Sequence, residues 1–290
     1  MTRHPPPPQL SETPLEPGLY LVATPIGNLR DITLRALDIL SAADMVLAED
    51  TRVTAKLMNA YGLSKKLERY DEHAAERAAP KILRALADGA RVALVSDAGT
   101  PMVSDPGFRL ARDALAQGSN VFPAPGASAV LAALAVAGLP TDMFMFAGFP
   151  PPKSAARKTF FESLVNIPAT LVFFEGASRV SACLKDMADV FGPRDAAVAR
   201  ELTKLYETVL RGPLNDLAIN PDFEDPKGEF VILVGPGVAA IATADQVDQA
   251  LRDALARLRP ADAAAEVSKA FGLPRRELYN RVMALRAEGR

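Results

Sequence analysis

The chain has 290 residues, long for one compact domain and comfortable for two. Apolar residues make up 49% and charged residues 23%, an ordinary globular balance that excludes wholesale disorder. A net charge of −2 excludes a basic protein that coats nucleic acid indiscriminately, one cysteine (Cys183) excludes a disulfide framework, and two histidines leave no His-rich metal site.

Residues 1–17 carry six prolines and are expected to form a disordered arm. The start lacks the apolar stretch of a signal peptide, and no run of about 18 apolar residues could span a bilayer. The expected compartment is the cytoplasm, with no membrane contact. From Gly18, short apolar runs ending in Gly, Asp or Pro alternate with helical patterns. Strands are expected over 18–24, 45–48, 92–96 and 120–123, and helices over 31–43, 52–61, 75–88, 108–116 and 127–137. Such alternation predicts βαβ units and a mainly parallel sheet over 18–139.

Leu139-Pro140 and Pro150-Pro151-Pro152 mark a boundary, after which the alternation restarts. Strands over 143–147, 169–174, 196–200, 207–210 and 229–234, with helices over 154–165 and 179–191, predict a second α/β domain over 140–237 with a mixed sheet. Past Gly235-Pro236-Gly237 the chain turns alanine-rich and basic, and three helices fit 244–258, 261–270 and 274–287. Gly272 suits a C-cap there. The fold class is therefore α/β: two α/β domains followed by a helical tail over 238–290.

In open α/β sheets ligands bind beyond the C-terminal ends of strands, and four strings stand there. Thr24-Pro25-Ile26-Gly27-Asn28-Leu29-Arg30-Asp31 lacks the glycine spacing of dinucleotide and P-loop motifs. It is either a ligand-approaching turn or a plain connector. Ser96-Asp97-Ala98-Gly99-Thr100-Pro101-Met102-Val103-Ser104-Asp105-Pro106-Gly107 is longer than a connector needs to be, which predicts a binding surface. Pro125-Gly126-Ala127-Ser128-Ala129 is small enough to admit a flat ring or to pack a helix closely on a sheet. Glu49-Asp50-Thr51-Arg52 is either a polar-substrate contact or a helix cap.

Taken in order, these strings resemble the ribosomal RNA small subunit methyltransferase I family, cytidine 2′-O-methyltransferases of the tetrapyrrole-methylase superfamily. Phe146-x-Gly148-Phe149 with Lys153, Phe174-Glu175 with Arg179, Arg200-Glu201-x-Thr203-Lys204-x-x-Glu207 and Lys227-Gly228-Glu229 are similar to its later motifs. Ser178 stands where the family often has a histidine. The resemblance implies two α/β domains of the tetrapyrrole-methylase type, S-adenosylmethionine in the cleft between them, no metal, and a homodimer acting on 16S rRNA, within the small ribosomal subunit. By motif position, Thr100, Pro101 and Val103 would hold the methionine part. Ser128 and Ala129 would lie near the adenosine, Pro25 and Gly27 would line the floor, and Phe174 and Gly228 would close over from the second domain.

The acceptor, a ribose hydroxyl, is a very weak acid, so the reaction needs alignment and a group that takes or screens a proton. Candidates are Glu49, Asp50, Arg52, Arg200, Glu201, Lys204 and Glu207, with Lys204 or Glu201 nearest the hydroxyl and Arg52 and Arg200 on phosphate. The bland alternative makes Arg200, Glu201, Lys204 and Glu207 a salt-bridge set between the domains. RNA contact would draw on Lys153, Arg157 and Lys158 and on the tail's Lys269, Arg275, Arg276, Arg281, Arg286 and Arg290. Two rivals stay open. Val267, Phe271, Gly272, Leu273 and Leu278 fit a helix-turn-helix, so the chain could be a DNA-binding regulator. A methylase of a small tetrapyrrole is the other.

Overall fold

The computed structural model describes residues 10–11, 13–102, 107–237, 244–271 and 273–288. The chain divides into two compact units, Met1–Glu162 with Ala169–Gly235, and Ser163–Pro168 with Pro236–Arg290.

The first unit begins with β1 (Gly18–Val22), α1 (Leu34–Ala42), β2 (Met45–Ala48), α2 (Thr51–Ala60), β3 (Leu67–Arg69), α3 (Glu72–Ala87), β4 (Arg91–Val95), α4 (Phe108–Ala116), β5 (Val121–Ala124) and α5 (Ala129–Ala137). Its five strands form one sheet in the order β3-β2-β4-β1-β5, every pair parallel. Both faces are covered, which is why the strands read as nearly continuous apolar runs. Tyr20, Val22, Val46 and Ala93 pack against Leu37, Leu40 and Met58 on one side. Leu19, Leu47 and Leu94 pack against Ile82, Leu86 and Leu110 on the other. Leu10 and Leu15, from the stretch expected to be an arm, rest on the first of these clusters, whereas residues 1–9 and 12 lie outside the described part. The side chains of Thr33, Asp50 and Asp71 cap α1, α2 and α3, accepting backbone N–H groups of Ala36, Arg52 and Ala74.

Asp44, just before β2, accepts the backbone N–H of Arg91 at 2.9 Å and its guanidinium at 2.8 and 2.6 Å. The side-chain bonds first and the backbone bond second hold its carboxyl down at about 2. A carboxylate with a lowered folded-state pKa stabilises above its ordinary value and loses that contribution as pH falls through the lowered one. The Asp44→Asn variant is therefore expected to lose less stability than the parent between roughly pH 4 and 2. Urea-unfolding midpoints across that range check it, and parallel curves would refute it.

The second sheet uses β6 (Phe144–Gly148), β7 (Thr170–Gly176), β8 (Asp195–Arg200), β9 (Thr208–Pro213) and β10 (Glu229–Val234), with helices α6 (Ser154–Glu162), α7 (Ala177–Phe191) and α8 (Leu214–Ala218). The order is β6-β7-β10-β8-β9; only β6 and β7 are parallel, so the expected mixed sheet is present. The apolar helix α5, read with the first sheet, packs Val130, Ala133, Leu134 and Ala137 against Val172, Ala197, Ala199 and Leu233 of the second. Phe161 of α6 and Phe191 of α7 cover the opposite face, with ring centroids 5.6 and 6.4 Å from Phe173.

Beneath α7 the expected basic string is corrected. Arg157 is only 3% exposed and donates to Asp186 of α7 at 2.8 and 2.5 Å. It is an internal ion-pair residue rather than an RNA contact. Lys158 bonds Asp189 at 2.6 Å on the surface, and Lys153 stays exposed.

In the second unit, α9 (Ala244–Leu255), α10 (Pro260–Phe271) and α11 (Arg275–Glu288) enclose a small core of Leu251, Ala263, Val267, Leu278 and Val282. Arg281, expected on RNA, pairs with Asp248, while Arg276 is exposed. Gly272, Arg290 and the side chain of Lys269 lie outside the described residues. No described helix is long and apolar enough to cross a membrane.

Candidate active site at the facing ends of the two sheets

A cavity of about 450 Å³ lies where the carboxyl ends of β1, β2, β4 and β5 meet the second sheet. The first sheet lines it with Ile26, Glu49, Asp97 to Thr100 and Ser128 to Val130. The second supplies Phe149, Phe174, Glu175, Glu201, Lys204 and Glu229 among others. That is the position the topology of a parallel sheet reserves for ligands, in the size range of small-molecule sites.

Local geometry explains the shape. After β1 the chain bridges to the loop after β4: Thr24 and Gly99 exchange both backbone hydrogen bonds, at 2.9 and 3.0 Å. Thr24 Oγ1 donates to the Ser96 carbonyl at 3.1 Å and Ser96 Oγ to that of Gly99 at 3.0 Å, so the turn is tied from three directions. Gly99 sits at φ +83, and a Cβ there would stand 3.3 Å from Ile26 Cγ2, so glycine keeps this wall open. Thr100 Oγ1 reaches the Ala127 carbonyl at 3.3 Å, linking that loop to the start of α5.

The opposite corner is charged. Lys204 Nζ donates to Glu201 and Glu229, each at 2.8 Å, and Glu201 Oε1 also accepts the Glu229 backbone N–H at 3.0 Å. Burial works against the charges of Lys204 and Glu201. Their mutual bond and those to Glu229 outweigh it, raising the lysine's pKa and lowering the carboxyl's. Glu201 and Thr203 both adopt left-handed backbone, at φ +51 and +65. The Thr203 N–H donates to Glu207 at 2.5 Å and fixes that turn. Arg200 donates to the Lys227 carbonyl at 2.7 Å. The four-member salt-bridge set is therefore corrected to a Glu201–Lys204–Glu229 cluster, with Arg200 and Glu207 bonded to backbone.

The expected site residues divide accordingly. Glu49, Thr100, Ser128, Ala129, Phe174, Glu201 and Lys204 line one cavity. Pro25, Gly27, Pro101 and Gly228 stand beside lining residues without lining it. Gly27 packs beneath Lys204, where a Cβ would collide with the lysine stem, and Gly228 packs against Glu201. Asp50 and Arg52 form an exposed pair, with the aspartate capping α2. Val103 lies outside the described residues. Phe149, Glu175 and Glu229 received no role from the sequence, although each stands inside a string quoted above. Glu175 is 2% exposed and holds Arg179 at 2.7 Å and the Gly176 N–H at 2.8 Å. Buried Cys183 lies near it, and burial first, then the Glu175 charge, pushes the thiol's pKa up. Among the described residues no cluster of His, Cys, Asp or Glu could hold a metal ion.

Comparison with known proteins agrees with this architecture. The family described as Tetrapyrrole (Corrin/Porphyrin) Methylases matches residues 18–218, which sets the class as a methyltransferase of that fold. The RsmI C-terminal HTH domain matches residues 241–286. A Mesorhizobium japonicum protein named ribosomal RNA small subunit methyltransferase I is 48% identical over 280 residues, covering 96% of this chain and 95% of its own. One of the same name from Xylella fastidiosa (strain Temecula1) is 45% identical over 271 residues, covering 91% and 98%. The chain belongs to the ribosomal RNA small subunit methyltransferase I family. Among solved structures, uroporphyrin-III-C-methyltransferase from Thermus thermophilus shares the fold at TM-score 0.53 and 22% identity, covering 74% of this chain and 93% of its own. Diphthine synthase does so at 0.56 and 16%, covering 75% and 89%.

Proposed function

We propose that this enzyme transfers a methyl group from S-adenosylmethionine to the ribose 2′-oxygen of a cytidine in 16S rRNA, within the small ribosomal subunit. We place that activity in the cytoplasm and in a homodimer. The observation that carries the reading is a single cavity joining the ligand-binding end of a parallel sheet to a charged corner of a second sheet, in a chain of this family. The residues present fit the donor. Ile26, Val130, Phe149 and Phe174 offer apolar walls for a purine ring. The space kept by Gly99 lets backbone approach a ligand, and Asp97 supplies a carboxylate for an ammonium group. Thr100, Ser128, Ala129 and Phe174 would hold the donor, with Pro25, Gly27, Pro101 and Gly228 supporting them. When bound, S-adenosylmethionine supplies a methyl group already activated on a sulfonium, with a neutral thioether as leaving group.

Lys204, held by two carboxylates, stays protonated and suits orientation of the acceptor and screening of nearby phosphate charge. Arg52, exposed and held by Asp50, and Arg200 are proposed for phosphate contact, where a fixed guanidinium is the usual choice. The helical second unit, with its exposed Arg276, is proposed to add affinity by the same electrostatic means.

The test has two parts. Calorimetry on the pure protein should show donor uptake. Labelled donor should then methylate small subunits from a strain lacking this enzyme, at a cytidine 2′-oxygen, and should leave a uroporphyrinogen and duplex DNA unmodified and unbound. Absence of donor uptake, or of ribose methylation on those subunits, would sink the reading.

A further inference from the structure

Among the described residues, six titratable side chains line the cavity, and five of them are already engaged. Lys204, Glu201 and Glu229 bond one another. Glu175 holds Arg179 and its neighbouring N–H. Asp97 Oδ1 accepts the Asp50 N–H at 2.9 Å. The sixth, Glu49, follows β2 directly and has no hydrogen-bond or ion-pair partner among the described residues. Three carboxylates face it: Asp97 from the loop after β4, Asp50 from the start of α2 and Asp71 from the start of α3. Of the cations beside those carboxylates, Arg52 of α2 pairs with Asp50 and Arg69 of β3 with Asp71.

A proton acceptor must be unpaired, must reach the reacting space and must titrate near the working pH. Lys204 and Glu201, nearest the hydroxyl in the sequence reading, fail the first condition because each is tied up by the other. We infer that Glu49 is the group that takes the proton from the acceptor hydroxyl. The inference rests on the methyl-transfer reading above. In that step the acceptor O–H bond breaks and its proton passes to a Glu49 oxygen. The acceptor oxygen's electron pair forms the new O–C bond, the pair of the breaking C–S bond stays on sulfur, and the carboxyl later releases the proton to solvent. Burial first, then the Asp97, Asp71 and Asp50 charges, raises this carboxyl above its ordinary value, toward the range where a base is efficient.

The experiment compares wild type with Glu49→Gln, Glu49→Asp and Asp97→Asn. The readouts are single-turnover methyl transfer to unmethylated subunits, donor affinity by calorimetry, and carboxyl titration of the ligand-free protein by carbon-13 NMR on labelled glutamate. Glu49→Gln should lose roughly 100-fold or more in turnover, with donor affinity and melting temperature kept. The wild-type rate should rise with pH through an acidic limb whose midpoint matches the Glu49 titration. Glu49→Asp should retain such a limb. Asp97→Asn, assayed at saturating donor because Asp97 is also proposed to face its ammonium group, preserves the oxygen that accepts the Asp50 N–H but removes a like charge, so it should move the limb to lower pH. Wild-type turnover in Glu49→Gln, or a wild-type profile without the limb, would overturn the inference. Failure of the wild type itself to bind donor or to methylate subunits would overturn the parent reading instead.

Discussion

Replacing Asp186 with alanine is expected to destabilise the protein by about 3–5 kcal/mol, the cost of stranding a buried charge. Arg157 is almost wholly enclosed between α6 and α7, and its remaining bonds run to the Pro152 and Ala182 carbonyls at 3.2 and 3.4 Å. Ser154 also donates to Asp186, at 3.0 Å. The two carbonyls solvate a guanidinium but do not neutralise it, so loss of the carboxylate leaves a desolvated cation. Two comparisons separate this from ordinary surface electrostatics. Lys158→Ala, on the same helix but half-exposed, should cost less than about 1 kcal/mol. The double variant Arg157→Met/Asp186→Leu should recover most of the loss, because an apolar pair of similar volume needs no neutralisation. Urea unfolding measures all three. A single-variant cost as small as that of Lys158→Ala would show that water reaches the pair.

Gly228→Ala is expected to cost both stability and turnover, for two separable reasons. The backbone stands at φ +98, where a Cβ is strained by about 1–2 kcal/mol. The added carbon would also lie 2.5 Å from Glu201 Cγ and Oε1, inside any tolerable contact. The carboxylate must then move, releasing the Glu229 N–H and Lys204, the residue proposed to orient the acceptor, and a displacement near 1 Å in such a group can cost on the order of 100-fold in rate. Gly62→Ala is the matched control. It has φ +70 with nothing within 4 Å of the new carbon, so it carries strain alone. Equal melting-temperature losses, with unchanged methyl transfer in Gly228→Ala, would show that Glu201 yields without consequence.

Much of the architecture was legible because a parallel sheet buried on both faces writes itself as apolar runs separated by helical periods. Expected strand 45–48 and helix 108–116 coincide with β2 and α4, and the mixed character of the second sheet followed from its excess of strands. The misses are short. β3 is three residues, Leu-Glu-Arg, with no apolar run to announce it, and α8 spans five residues directly after Pro213. At the site, the strings were visible but the roles within them were not. That Lys204 reaches Glu229, 25 residues later, is a product of β8 and β10 lying side by side. That Arg157 faces inward depends on which side of α6 meets α7, and a string of basic letters carries no sign of it. Glu49 and Asp50 are chain neighbours with opposite fates, one aimed into the cavity and one capping a helix, and the residue types alone do not distinguish them.

The left-handed backbone at Glu201 and Thr203 bears on how this enzyme can adapt to heat. Each such residue stores about 1–2 kcal/mol that an ordinary turn would not carry. Relaxing that corner is therefore among the easiest routes to a tougher fold, and the same relaxation would let Lys204 drift from its carboxylates. Variants selected only for survival at high temperature should accumulate changes there and come out slower, whereas those selected for rRNA methylation as well should find their gains elsewhere.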